Sequence, residues 1–178
     1  MMLEGSTITL ALEHYLNSLC ITVLKSTIRE EYLEEEKEDR YLVLKQVLGT
    51  LAILYSPLSI NSLPELLYLP KETIEGGFAD LHAILDIRKD TGRPLRLHHP
   101  SFRDFLLNKD RCNDLNFWVD ERQAHRTLAD NCIRLMSNSL KQDVCGQEAH
   151  SILVANVKSN RIEQCLPPEV RYACLYWV

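Results

Sequence analysis

The chain has 178 residues, of which 46% are hydrophobic and 25% are charged, a composition typical of a folded protein rather than a disordered one. Its net charge of −5 arises from 25 acidic and 20 basic residues, and residues 29–40 alone carry seven acids and three bases. The rest of the chain is nearly neutral, which disfavours a general nucleic-acid-binding surface.

Nothing in the sequence directs the chain into or across a membrane. The N-terminus lacks a basic start followed by an apolar run, and no apolar stretch is long enough to span a bilayer. Six cysteines are scattered without close pairs, which is typical of free thiols in a reducing compartment. We therefore expect a cytoplasmic protein with no membrane partner.

The usual nucleotide-binding and hydrolytic motifs are absent from the sequence. None of the six glycines belongs to a P-loop or to GxGxxG, and neither GxSxG nor HExxH occurs. We therefore expect the chain not to be an enzyme and to bind no cofactor on its own.

The first part of the chain predicts a helical arm and an acidic connector. Apolar residues recur every three or four positions, which predicts an amphipathic helix capped at Ser6 or Thr7. The acidic run 30–39 is predicted to be a solvated helix extension or a linker. The apolar positions of the helix are Ile8, Leu12, Tyr15, Leu19 and Val23.

Three further helices are predicted next. The second helix ends at Ser56 and Pro57, because proline cannot continue the helical hydrogen bonds. A capping box at Ser62 and Glu65 opens the third helix, and Pro70 separates it from the fourth. The inward positions are Tyr41, Leu44, Leu48, Leu51 and Tyr55 in the second helix, Leu63, Leu66 and Leu67 in the third, and Ile74, Phe78, Leu81 and Leu85 in the fourth.

Two short extended runs, 84–88 and 94–98, then predict a β-hairpin, since the connection between them contains Asp and Gly. Ser101 and Asp104 indicate the cap of a following helix. Helices followed by a two-stranded hairpin are the order of a winged-helix domain. The inward positions of the helix after the hairpin are Phe102, Phe105 and Leu106.

The last part of the chain predicts helices again. Asp120 is the predicted cap of one helix, 141–160 is predicted to be a loop, and 162–166 a short turn. Pro167 and Pro168 open a final helix. The inward positions are Ala124, Leu128, Cys132, Leu135 and Met136 in the first of these helices, and Val170, Cys174 and Trp177 in the last.

His98 and His99 are the most prominent titratable pair. Because successive residues of a strand face opposite sides, at most one of them points at a given partner. Ser101, His99 and Asp104 include the residue types of a hydrolytic triad. Triad members are brought together by the fold rather than by one short string, so helix capping explains Ser101 and Asp104 better.

Two other clusters contain residue types that occur in binding sites. A metal site drawn from the Cys and His residues of the second half lacks the spacing of a zinc knuckle, so we expect no metal. A small basic cluster on the hairpin and the next helix favours phosphate contact only weakly. The first cluster is Cys112, His125, Cys132, Cys145 and His150, and the second is Arg93, Arg96 and Arg103.

Several strings resemble one family in their order and spacing. They are GTLAIL at 49–54 with SPLS at 56–59, LHAIL at 81–85, HHPSFRDFL at 98–106, FWVD at 117–120 and YACLYWV at 172–178. Over residues 10–178 they resemble the segment that follows the nucleotide-binding core of fungal NACHT proteins. These are NLR-like signal-transduction ATPases of the STAND class, and they include heterokaryon-incompatibility proteins with WD repeats.

The resemblance implies a winged helix that folds back on the NACHT core and holds the ADP-bound state closed, followed by a helical domain. It also implies that the histidine of an H-x-S-F string reaches the β-phosphate of the nucleotide. The matching residue here is His99, with Ser101 and Phe102 following. Because this chain has no P-loop, ADP or ATP is expected to bind only together with a NACHT core.

The sequence thus predicts a mainly α-helical protein in three parts. Residues 1–40 form a helical arm and acidic connector, 41–110 a winged-helix domain with a small β-hairpin wing, and 111–178 a truncated helical domain. The expected function is that of the regulatory and interaction segment of a NACHT-type signalling ATPase, with the NACHT core, WD repeats and oligomer subunits as partners. The alternative is a standalone winged-helix nucleic-acid-binding module, which the acidic fourth helix disfavours.

Overall fold

The computed structural model describes residues 4–78, 80–87, 90–142, 144 and 159–177. Over these residues the predicted mainly helical character is confirmed. The helices are α1 (Glu4–Ser26), α2 (Glu34–Ile53), α3 (Leu63–Leu67), α4 (Lys71–Phe78), α5 (Pro100–Leu107), α6 (Glu121–Ser139), α7 (Ser159–Cys165) and α8 (Pro168–Tyr176).

Helix α1 joins the rest of the protein from its middle to its C-terminal end. Its Lys25 side chain pairs with Asp114 at 3.2 Å, and Leu24 is completely buried. The cap predicted at Ser6 or Thr7 is wrong, because both residues lie within the helix.

Much of the acidic run belongs to α2 rather than to a linker. The helix begins at Glu34, well before the first predicted apolar position at Tyr41, and the predicted boundary between 40 and 41 falls inside it. Three acidic residues of the first turn lie at the positive end of the helix dipole. The Glu36 carboxylate also accepts the backbone N–H of Leu33 at 2.9 Å. Of the two predicted alternatives, a helix extension therefore holds from Glu34 onward.

The core is built around α2, which packs against α4, α5 and α6, while α6 also contacts α3 and α8. The chain before α6 approaches α2 closely at Gly49, where an added Cβ would lie 3.1 Å from a methyl carbon of Val119. Phe105 and Phe117 are among the largest side chains that are fully buried. The buried apolar residues of α2 itself are Leu44, Val47, Leu48, Ala52 and Ile53.

Most predicted inward positions of α3, α4, α5 and α6 are confirmed. Helix α4 ends at Phe78, however, so Leu81 and Leu85 lie beyond it, although both are buried. The capping box at Ser62 is wrong as well, because Ser62 already has helical backbone angles and makes no cap hydrogen bond. The confirmed buried positions are Leu63, Leu66, Leu67, Ile74, Phe78, Phe102, Phe105, Leu106, Leu128, Cys132 and Leu135.

Three short extended stretches pair in antiparallel fashion. Isolated bridges join Ser59 to Pro94 and Leu85 to Leu97, so the stretch that starts at Pro94 lies between the other two. Within the described part of the chain these remain single bridges, and the predicted β-hairpin wing is not confirmed as regular strands. Pro94 has no N–H to donate, which limits the ladder on one side.

The C-terminal helices differ from the prediction in two ways. The segment predicted as a turn, residues 162–166, belongs in part to α7. The buried side of α8 differs from the predicted one because α8 packs on α6. Tyr172 and Ala173 are buried together with Val170, whereas Cys174 and Trp177 are exposed. Most of the predicted loop 141–160 lies outside the described residues.

Candidate functional site

His99 lies immediately before α5 and caps that helix. Its backbone is extended, with φ −137° and ψ 133°, and its Nδ1 accepts the backbone N–H of Ser101 at 3.1 Å. The Oγ of Ser101 lies 2.7 Å from the same nitrogen. The prediction that Ser101 is the cap is therefore wrong, because Pro100 begins the helix and Ser101 lies in its first turn.

The sequence does contain a signal for this cap. Proline is favoured at the first position of a helix, where its missing N–H costs nothing. Pro100 therefore indicates that the preceding residue, His99, is the cap. An imidazole nitrogen here accepts the capping hydrogen bond that a Ser, Thr, Asp or Asn oxygen usually accepts.

The cap determines which nitrogen of His99 remains for another partner. Because Nδ1 accepts a backbone N–H, the neutral ring carries its proton on Nε2. The residue is exposed. His99 therefore presents Nε2–H as a hydrogen-bond donor to groups outside this chain.

His98 is used differently. Its Nε2 lies 3.2 Å from the carbonyl oxygen of His82, and its backbone N–H donates to the carbonyl of Ile84 at 2.9 Å. The two neighbouring histidines thus make separate contacts, as the alternation along an extended segment predicts.

The candidate triad is only partly assembled. The structure brings Ser101 to His99, but Asp104 lies nearly one turn further along α5 and faces Arg103 at 3.9 Å. A triad requires the carboxylate on the ring nitrogen opposite the hydroxyl. Among the described contacts of His99 there is no carboxylate.

Arg103 is bound to the body of the protein. Its Nε donates to the carbonyl of Ala52 at 2.6 Å, and its Nη2 lies 3.5 Å from Glu121. The Ala52 carbonyl belongs to the last turn of α2, where carbonyls lack helical partners. Arg93 is paired with Asp90 at 3.3 Å. Two of the three arginines of the predicted basic cluster are therefore engaged within the chain.

Helix α4 occupies the position of a recognition helix in the winged-helix prediction, and its surface is acidic. Its Lys71 pairs with Glu75 at 3.5 Å, while Glu72 is exposed beside them. Phosphate repulsion by these carboxylates disfavours docking on a duplex.

The candidate cysteine ligands do not converge on a metal site in the part of the chain that is described. Burial raises the pKa of both Cys112 and Cys132 to about 11. At neutral pH the thiolate that would bind a metal is therefore scarce. Cys145 and His150 lie outside the described residues, and among the rest no group of three metal-ligating side chains is found.

No protein-family model, curated protein or solved structure matches the chain. The resemblance to NACHT proteins therefore depends on the sequence strings alone, and the role of His99 stays a prediction. None of the described helices is both long and apolar enough to cross a membrane.

Proposed function

We propose that the chain is the regulatory and interaction segment of a fungal NACHT-type STAND signalling ATPase, docking on the nucleotide-binding core and holding the ADP-bound switch closed. The observation that carries the proposal is the hydrogen bonding of the His99 ring. Its Nδ1 is occupied by the α5 cap, which leaves Nε2–H as an exposed donor. In the closed state this N–H donates to the β-phosphate of ADP bound by the core.

The order of elements supports a winged-helix domain with a β-hairpin wing. Helix α2 is followed by a short extended stretch at Ser59, then by α3 and α4, and then by the two stretches that pair through Leu85 and Leu97. The α5 cap comes directly after the second of these. We propose that this unit is the part that folds back on the core.

The exposed apolar side of α1 supports docking on another domain. Leu12 and Tyr15 are 58% and 60% exposed, and Leu19 on the same side is 43% exposed. Contiguous apolar surface on a folded protein commonly marks an interaction site. We propose that the NACHT core covers this side of α1.

The proposed role is that of a clamp rather than of a catalyst. His99 supplies one hydrogen-bond donor, and Arg103 is already bound to Ala52 and Glu121. ADP or ATP therefore binds only when the NACHT core supplies its P-loop, and the chain shifts the balance between closed and open states. In the cytoplasm, WD repeats and oligomer subunits are further proposed partners.

The experiment measures binding of the chain to a recombinant fungal NACHT core loaded with ADP, by isothermal titration calorimetry. The key variant is His99→Asn, whose side-chain oxygen still accepts the Ser101 N–H but which cannot donate from the Nε2 position. We expect its affinity to fall about tenfold, in line with the loss of one charge-assisted hydrogen bond.

The matched control is His98→Asn, which alters the neighbouring ring without touching the cap. It should bind the core as the wild type does. Equal affinities for the wild type and His99→Asn, or no binding by either, would overturn the proposal. A salt-dependent complex with duplex DNA would instead favour the nucleic-acid-binding alternative.

A further inference from the structure

Three grooves meet along the outer side of α2. One lies between α2 and α4 with a volume of about 610 Å³, one between α2 and the start of α6 with about 570 Å³, and one beside Leu115 with about 320 Å³. Leu42 lines all three and is 66% exposed. We call Leu42 and these grooves the α2 outer surface.

The grooves of the α2 outer surface offer apolar contacts on each side of Leu42. Val43 and Leu69 line the first groove, Ala124 lines the second, and the exposed Leu115 lines the third. Each groove has room for an aliphatic side chain. A helix laid across Leu42 could place side chains three or four residues apart into neighbouring grooves, as ridges pack into grooves between helices.

Acidic residues outnumber basic ones by four to two in the lining of the three grooves, and both basic side chains donate to backbone carbonyls. Glu38 lines the third groove and Asp39 the first, and in the described part of the chain neither carboxylate has a hydrogen bond or an ion pair. Arg40 instead donates to a carbonyl of α4 at 3.2 Å, and Lys45 donates to a loop carbonyl at 3.0 Å. The surface therefore combines apolar grooves with carboxylates that lack a partner.

We propose that the α2 outer surface docks a basic amphipathic helix of a partner protein. The apolar stripe of that helix fills the grooves beside Leu42, and its Lys or Arg residues face Glu38 and Asp39. Nucleic acids and anionic membranes are repelled by the same carboxylates. The proposal does not depend on the NACHT function.

The test uses synthetic helical peptides and the intact chain. One peptide carries leucines at helical spacing with lysines flanking the leucine stripe, a second replaces every lysine by glutamate, and a third scrambles the lysine peptide. Binding is measured by calorimetry and located by amide chemical-shift changes. We expect the lysine peptide to bind, to shift amides of α2 and to weaken with added salt, while the other two do not bind.

Two variants locate the site. Leu42→Gln should weaken binding about tenfold or more, because the central apolar contact is lost. The charge swap Glu38→Lys with Asp39→Lys should transfer preference to the glutamate peptide. The matched control is Leu175→Gln, which removes a leucine that is 71% exposed on α8, and it should leave binding unchanged. Circular dichroism of each variant checks that the fold is kept.

Each outcome of these experiments either supports the proposal or overturns it. Selective binding that Leu42→Gln weakens and the charge swap inverts supports the proposal. Equal binding of the lysine and glutamate peptides, shifts away from α2, or full affinity of Leu42→Gln overturns it. Self-association of the wild-type chain in sedimentation, abolished by Leu42→Gln, also overturns it, since the occupant would then be a second copy.

Discussion

Helices α1 and α2 have the same kind of apolar periodicity but differ in how far their apolar side chains are buried. In α2 the predicted positions Leu44 and Leu48 are almost wholly buried, because α4, α5 and α6 surround the helix. In α1 the corresponding residues Leu12 and Tyr15 remain largely exposed. Periodicity therefore predicts that a helix has an apolar side, but the partner that covers that side is a property of the whole assembly.

The difference also separates two kinds of role. Helix α2 supplies the core to which the other elements attach, so its apolar side contributes to the stability of this chain. The exposed residues Leu12 and Tyr15 of α1 lie outside that core, so we expect them to contribute little to the stability of the chain. The predictions below test this division, from the largest expected effect to the smallest.

The largest effect is expected in the core of α2. Leu48→Ala should lower the free energy of unfolding by about 2–5 kcal/mol, because it removes buried methyl groups and leaves a cavity. The matched change Leu12→Ala on α1 should lower it by less than about 0.5 kcal/mol. Urea unfolding followed by circular dichroism measures both values. Equal losses for the two variants would remove the distinction between α1 and α2.

A second effect appears only in alkali and comes from thiols buried in the body. The pKa of Cys112 and that of Cys132 are raised by burial from 9.0 to about 11. Unfolded thiols ionise first, so this stabilisation is complete below about pH 9 and is lost as the pH rises toward about 11. We expect the urea midpoint to fall across that range.

Variants of single cysteines check the source of the alkaline effect. Cys132→Ala should make the fall of the urea midpoint shallower. Cys165→Ser, which changes a partly exposed thiol at the end of α7, should leave the slope as it is. A midpoint that stays constant between pH 9 and 11 would contradict burial of the two thiols.

A smaller effect on global stability than that of the core change is expected where α1 meets the body. Arg111 donates to Asn17 Oδ1 from Nε and Nη2, at 3.2 and 3.1 Å, and its Nε lies 3.2 Å from Glu13. Arg111→Met should speed amide hydrogen exchange in α1 while costing less than about 1 kcal/mol of global stability. Exchange that rises equally in α2 would show that α1 is part of the core.

The sequence predicts the local elements well where apolar spacing alone decides them. The inward residues of α5 and α6 follow from their spacing, and Asp120 caps α6 as predicted, accepting the N–H of Gln123 at 3.1 Å. At other helix starts the spacing does not identify the capping residue, because several polar residues within one turn can make the cap hydrogen bond. Ser62 bonds with Ser59 instead of the helix, and His99 takes the place predicted for Ser101.

Tertiary contacts account for most of the remaining differences. The buried side of α8 includes Tyr172, whose hydroxyl accepts the backbone N–H of Tyr55 at 3.4 Å. Helical spacing within α8 carries no information about that contact. The predicted boundary between 40 and 41 falls inside α2 because the first two turns of this helix contain no apolar pattern that would mark its start. For the candidate site, family resemblance identified His99, and the structure added its hydrogen-bonding state.

The most direct test of the proposed regulatory function is hydrogen exchange of the intact chain with and without a recombinant fungal NACHT core and ADP. The account predicts slower exchange at residues 94–106, which contain His99, and at residues 12–19 on the exposed side of α1. Replacing ADP by ATP should reduce the protection at 94–106, because the closed state is then less populated. Unchanged exchange in both segments on adding the ADP-loaded core would contradict the account.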